Sequence, residues 1–338
     1  MFQHLITISP LGLMYGSAGA FLSPENLVGR SGAKFPPDAA TVAGLFFSAN
    51  HASKGVISAH DDLKQTLHVT GPFWAKRDQP EVFYVPVPRH RIIAEDNEDE
   101  WRLESDRHWQ RDPQKQDLEA YYTWQSIDAW NRETRKIRTN QEAAQVPWKS
   151  VSFLHPHMKS EERHVLDEDG LFLENAVQMD EDYCLVYLST NALPNGWYRF
   201  GGEGHMVEVG SQPLPPSSTI NQLLDQPIDL ACAFITPGVW GSNNLSYRCP
   251  KHPEFPRDGI QMLTDKAVPY RYRLGNRKTE RGRLSRGRYA VPVGTVYVFK
   301  QPLNKRWWDF PDDWFPDKGL LKKMGTGLCL PIKLQGVA

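Results

Sequence analysis

Glycine and proline punctuate this chain so densely, 25 and 26 among 338 residues, that its apolar residues fall into short separate runs. Runs of that kind suit strands of about 4–8 residues bounded by turns and leave little room for long helices. The opening run, residues 2–8, is apolar and β-branched and stops at Pro10, which predicts a first strand. Gly12, Gly16, Gly19, Gly29 and Gly32 then space a loop closed by Phe35-Pro36-Pro37-Asp38. Beyond it Ala39, Ala40, Val42, Ala43, Leu45 and Phe46 suit a helix with Pro37 and Asp38 at its start.

Residues 82–87 and 91–94 read as edge or bulged strand pieces because of Pro86 and Pro88. From 117 to 138, Leu118, Tyr121, Tyr122, Trp124, Ile127, Trp130 and Ile137 recur at helical spacing, and the charged span 95–148 reads as a partly helical insertion. A second set of strands starts near Val151 and takes in 171–179, 184–188, 198–200, 206–209, 230–235, 289–293 and 295–299. Short helices are expected at 220–224 and 318–324, before a last strand at 328–334. Together these elements predict an α+β protein of two domains, residues 1–150 and 151–338, each long enough to bury a core.

A formal net charge of −1 conceals segregation. From Arg271 to the end there are 15 Lys and Arg against 5 Asp and Glu, so the preceding residues are strongly acidic. The run 271–288 holds Arg271, Arg273, Arg277, Lys278, Arg281, Arg283, Arg286 and Arg288 against Glu280 alone, with Gly275, Gly282 and Gly287 between them. Arginines beside Tyr270, Tyr272 and Tyr289 can pair phosphates and stack on bases, although a solvated loop has the same composition. Arg30 and Lys34 in the first glycine-rich loop make a second basic location. Near the end, Lys322-Lys323-Met324-Gly325-Thr326-Gly327 places two lysines and two glycines at a helix-to-strand turn. Glycines there would let a phosphodiester backbone approach main-chain N–H groups, and a plain helix C-cap would use them equally well.

Catalytic and metal centres are harder to assemble. His155, His157 and His164 with Glu161 and Glu162 lack a third ligand fixed by spacing. His51 and His60 are the candidate general bases for RNA cleavage. Walker A, GxSxG and HExxH patterns do not occur, and no cofactor is expected. Cys184, Cys232, Cys249 and Cys329 form no CxxC pair, which predicts neither zinc nor disulfides and points to a reducing cytoplasm. The apolar start lacks a basic leader and is interrupted by Pro10, so neither a signal peptide nor a membrane association is expected.

Four stretches resemble the RAMP superfamily of CRISPR-associated proteins. They are Phe35-Pro36-Pro37-Asp38 with Thr41-Val42-Ala43-Gly44-Leu45, Asp169-Gly170-Leu171-Phe172, Gly201-Gly202-Glu203-Gly204, and Ala290-Val291-Pro292-Val293-Gly294-Thr295-Val296-Tyr297 followed by Gly325-Thr326-Gly327. The third is similar to the double-glycine-glutamate motif of the guide-end subunit of type III-B (Cmr) complexes. The resemblance implies two ferredoxin-like (RRM-like) domains, the first carrying the 95–148 insertion and the second the basic segment 271–288 and the terminal glycine-rich turn. It also implies a non-catalytic Cas5-like role. Such a chain would hold the 5′ tag of the guide RNA and contact the large polymerase-like subunit and the backbone RAMP subunits. An endoribonuclease of the same superfamily, using His51 or His60, is the alternative.

Overall fold

The computed structural model describes residues 1–14, 35–53, 55, 57–156, 158–159, 164–165, 170–201, 204–242, 245–275 and 283–337. Most of the regular structure is sheet, with few and mainly short helices, which makes the protein α+β. Eight strands form its core: β1 (His4–Pro10), β2 (Val69–Lys76), β3 (Tyr183–Ser189), β4 (His205–Pro213), β5 (Ala231–Phe234), β6 (Gln261–Leu263), β7 (Val296–Val298) and β8 (Cys329–Pro331). The first four lie side by side in the order β4-β1-β3-β2 and the second four in the order β8-β5-β7-β6, all antiparallel. Both sheets thus have the order fourth, first, third, second.

Strand alternation sends neighbouring residues of the first sheet into two different cores. Ile6, Ile8, Trp74, Leu185, Tyr187, Val207 and Val209 pack with Val42, Leu45 and Phe46 of α1 (Ala39–Ala52). Leu5, Phe73, Ala75, Val186 and Leu188 face the other way, against Cys232, Phe234, Val296 and Leu330 of the second sheet. Helix α1 starts at Asp38 as expected, and Tyr187 fixes its approach by donating to the Pro37 carbonyl at 2.6 Å. The buried Asn50 accepts from the amides of Ile57 and Ser58 at 3.0 and 3.2 Å, tying α1 to α2 (His60–Thr66).

The expected boundary near residue 150 cuts through one sheet. Strands β3 and β4 lie beyond it, yet β1 pairs with both, His4 standing opposite Ser189 and Pro213. The first sheet therefore draws on residues from 4 to 213. It also continues past β2 through Tyr84–Pro86, Trp124–Ser126 and Ala143–Ala144. The helix expected over 117–138 does not form. Trp124–Ser126 is instead drawn into this sheet, and helical geometry is limited to 3₁₀ turns at Pro113–Lys115 and Ile127–Ala129 and to α3 (Thr134–Thr139). Tertiary pairing overrides the local periodicity here. Further on, short helices stand at α4 (Thr219–Asp225) and α5 (Leu320–Lys323), within the expected ranges or a residue of them.

The charged span 95–148 satisfies several of its carboxylates from within. Glu98 pairs with Arg138, Glu100 accepts from Thr134, and Arg132 pairs with Glu142. Arg91 is buried and donates to Gln125 Oε1 at 3.0 Å and to the carbonyls of Trp130 and Arg132 at 3.0 and 2.8 Å; burial brings its pKa down to about 10. Its neighbour His90 is also buried, and desolvation, with the Arg91 charge adding to it, holds the imidazole well below its usual range. The folded protein keeps His90 neutral, whereas an unfolded chain protonates it below pH ~6.5. This contribution is therefore complete above that value and is lost as pH falls, by at most about 1.4 kcal/mol per pH unit. Thermal melts between pH 7 and pH 5 should decline along this slope, and His90→Gln should flatten the decline.

Candidate nucleic-acid interface

Basic segment 271–288 is a β-ribbon at its described ends. Val268–Tyr270 pairs with Arg288–Ala290, and further out Arg273–Leu274 pairs with Arg283–Leu284. Between these pairs, Ser285 exchanges main-chain and hydroxyl bonds with Tyr272, and Arg271 Nε donates to the Ser285 carbonyl at 2.8 Å. One carboxylate clamps the root. Asp317 accepts from the Tyr272 hydroxyl through Oδ2 at 2.8 Å and from Arg288 Nη2 through Oδ1 at 2.7 Å, so each oxygen holds one strand. Burial, with Asp317 adding to it, pushes the Tyr272 phenol up and keeps it a donor.

This arrangement sorts the expected contacts. Arg288 is buried and ion-paired, and Arg271 is half-buried, whereas Arg273 and Arg286 are exposed. Tyr270 and Tyr272, expected to stack on bases, are buried, and only Tyr289 is open, at 57 % exposure. Alternation explains the difference: Arg288 and Ala290 turn inward and Tyr289 between them turns out. Arg277, Lys278 and Arg281, like Arg30 and Lys34, lie outside the described residues, as does the side chain of Arg283.

Sequence reasoning missed the ground beside the ribbon. The Tyr289 amide donates to Ser246 Oγ at 3.0 Å, which brings the short strand Ser246–Tyr247 alongside. Lys251 Nζ stands 4.0 Å from the centroid of the Tyr247 ring, and Arg248 is exposed next to it. A lysine over a tyrosine face and an open tyrosine nearby are groups that can meet phosphate and base together. No spacing signal betrays them, because the contact joins a strand to a loop. Asp317 was equally hidden, 29 residues along the chain from Arg288.

The terminal glycine turn sits elsewhere, where the two sheets meet. Gly325 and Gly327 are buried, with φ of 65° and 67°. A Cβ on Gly325 would fall inside the Thr70 side chain, within 2.6 Å of its Cα, and one on Gly327 would lie 2.5 Å from Trp240. The Gly325 carbonyl accepts from Thr236 Oγ1 at 2.6 Å and Thr70 Oγ1 at 3.3 Å. The chain's own packing therefore accounts for both glycines. Lys322 is buried and donates to the carbonyls of Trp308 and Phe310, at 2.9 and 2.5 Å, while Lys323 reaches the Lys64 carbonyl at 2.8 Å. Of the expected residues, Lys322, Gly325, Gly327 and Arg288 are thus all engaged within the fold.

Among the described residues no group of three or more His, Cys, Asp or Glu is placed to hold a metal, and no helix is long and apolar enough to cross a membrane. His51 is exposed at the end of α1; the side chains of His60 and His155, and the whole of His157, lie outside the description.

No curated protein matches the chain. Among solved structures, it is similar to a chain of the type III-B Cmr-beta bound to cognate target RNA, at 12% identity, 87% and 86% coverage of the two chains and a TM-score of 0.46. It is also similar to a chain of a Csm3-Csm4 subcomplex from the type III-A CRISPR-Cas interference complex, at 11% identity, 88% and 97% coverage and a TM-score of 0.42. A third, from a Csm1-Csm4 cassette in complex with pppApA, gives 12% identity, 89% and 88% coverage and a TM-score of 0.40. A family model described as CRISPR-associated protein (Cas_Cmr3) matches residues 6–334, nearly the whole sequence, and the chain belongs to that family.

Proposed function

We propose that the chain is a non-catalytic RNA-binding and assembly subunit of a type III, Cmr-type CRISPR complex, and that it holds the 5′ tag of the guide RNA. Its protein partners are then the large polymerase-like subunit and the backbone RAMP subunits. The clamped ribbon carries this reading: exposed Arg273 and Arg286 are presented on its two arms, whose root is fixed by Asp317, beside Tyr289, Arg248 and the Lys251–Tyr247 pair. Phosphate contacts of this kind position RNA without reading its sequence. Both halves are inferred to be ferredoxin-like, supported by the antiparallel order fourth, first, third, second in each core sheet. Helix α1 crosses between β1 and β2 of the first sheet, and α5 lies between β7 and β8 of the second. The first unit then ends near β4 and the second opens with α4.

Charge reversal at Arg273 and Arg286 together is expected to weaken guide RNA affinity about tenfold or more, for all sequences alike, and to flatten its salt slope by about 1.4. Binding titrations over a salt series measure both. Unchanged affinity and slope, in a variant that melts like wild type, would remove the ribbon from the RNA path.

A further inference from the structure

Among the described residues, nothing covers one end of the first sheet. Gly196–Phe200 is its outermost strand, paired to β4 with Trp197 opposite Glu208 and Arg199 opposite Met206. The Leu11 amide donates to the Met206 carbonyl at 3.1 Å, which extends the Pro10–Val207 register by one residue. Residues directly opposite share a face, so Arg199, Met206 and Leu11 form one row and Trp197, Glu208 and Ser9 the next. The neighbouring positions Val207, Val209 and Phe200 pack toward α1. These two rows therefore lie on the side where the second sheet packs, but past its reach. Ser9 is buried, whereas Trp197 is 72 %, Leu11 50 % and Met206 45 % exposed. Leu11 also lines a cleft of about 360 Å³ with Arg77 and Glu181. Arg77 Nε donates to the Tyr183 carbonyl at 3.2 Å, which fixes its guanidinium there.

We infer that this sheet end, centred on Trp197, Met206 and Leu11 and bordered by Arg199 and Arg77, is the docking surface for another protein subunit of the same assembly. The inference rests on the effector-subunit reading above and adds a surface to it. Composition selects the occupant. An apolar centre of Trp, Met and Leu with arginines at its border has the make-up of a protein interface core and its energetic anchors. An edge strand carrying large open apolar groups is a liability unless something covers it. RNA fits poorly, because Glu208 is exposed beside Trp197, Glu181 and Asp182 are exposed at the border, and all three would face phosphates. The partner surface should offer an apolar side chain for the centre and carboxylates for the two arginines.

The test uses the full chain and the other purified protein subunits of its complex, nuclease-treated and free of RNA, with association measured by sedimentation. Trp197→Ala with Arg199→Glu should weaken binding to one subunit about 30-fold or more, and Arg77→Glu should weaken binding to that same subunit. Guide RNA affinity and the thermal melt should stay at wild-type values. Wild-type association by both variants overturns this surface and leaves the effector-subunit reading intact. A loss of RNA affinity with subunit association unchanged also overturns it, in favour of RNA as the occupant. A wild-type chain that binds none of the subunits overturns the effector-subunit reading together with this inference.

Discussion

Replacing Gly325 by valine should lower stability by about 4 kcal/mol, or roughly 10 °C in melting temperature, whether or not RNA is present. Two costs add. A β-branched residue at φ 65° occupies left-handed backbone that L side chains avoid. Its Cβ would also overlap Thr70, on the central strand β2, where neither backbone can retreat without opening the contact between the sheets. Gly327→Val should behave alike against Trp240. Gly44→Ala is the control: Gly44 is exposed inside α1, and an added Cβ meets no atom within 4 Å. That change should stabilise by about 0.8–1 kcal/mol. A Gly325→Val protein that melts like wild type yet releases guide RNA would return the turn to the role its sequence suggested.

That turn illustrates what sequence could and could not convey. A GxG after two lysines specifies left-handed backbone and close approach, and both are present; it does not say what approaches. The approaching group is Thr70, 255 residues away along the chain, and only tertiary structure brings it there. The strands were legible for a local reason. Alternation and Gly or Pro punctuation placed the elements at 4–10, 171–179 and 183–189 within a few residues. Their pairing was not legible, so the expected boundary near 150 separates β1 and β2 from β3 and β4, which pair with them in one sheet.

The same limit governed the basic segment. Its charge was plain from composition, but the sorting of arginines into exposed and buried depends on Asp317, which no motif joins to them. Tyr270 and Tyr272 drew attention as stacking residues because they flank arginines, whereas strand alternation turns them inward and leaves Tyr289 outside. Over 95–148 the sequence showed dense charge and no sign that it was paired. Arg138 and Arg132 instead pair with Glu98 and Glu142, so much of that charge is spent within the fold.

Asp317→Ala is expected to cost about 3–5 kcal/mol and to detach the ribbon from its root. The change leaves the Arg288 side chain, 5 % exposed, without this carboxylate and deprives the Tyr272 hydroxyl of its acceptor. Asp317 also occupies left-handed backbone at φ 58°, followed by Lys318 at 56° and Gly319 at 79°, a conformation that Asp and Asn tolerate better than Ala. Asp317→Asn keeps the turn and an acceptor for Tyr272 and removes only the charge, so its loss should be smaller. Amide exchange can follow the ribbon directly. Protection at Tyr272 and Ser285, whose main-chain groups bond across the two strands, should fall steeply in the Ala variant and partly in the Asn variant, while β1 and β3 stay protected. If the ribbon is the RNA grip, guide affinity should follow that order, because arginines on a loosened ribbon must first be ordered to meet phosphates. Equal protection in all three proteins would mean that the ribbon is held by contacts other than this carboxylate.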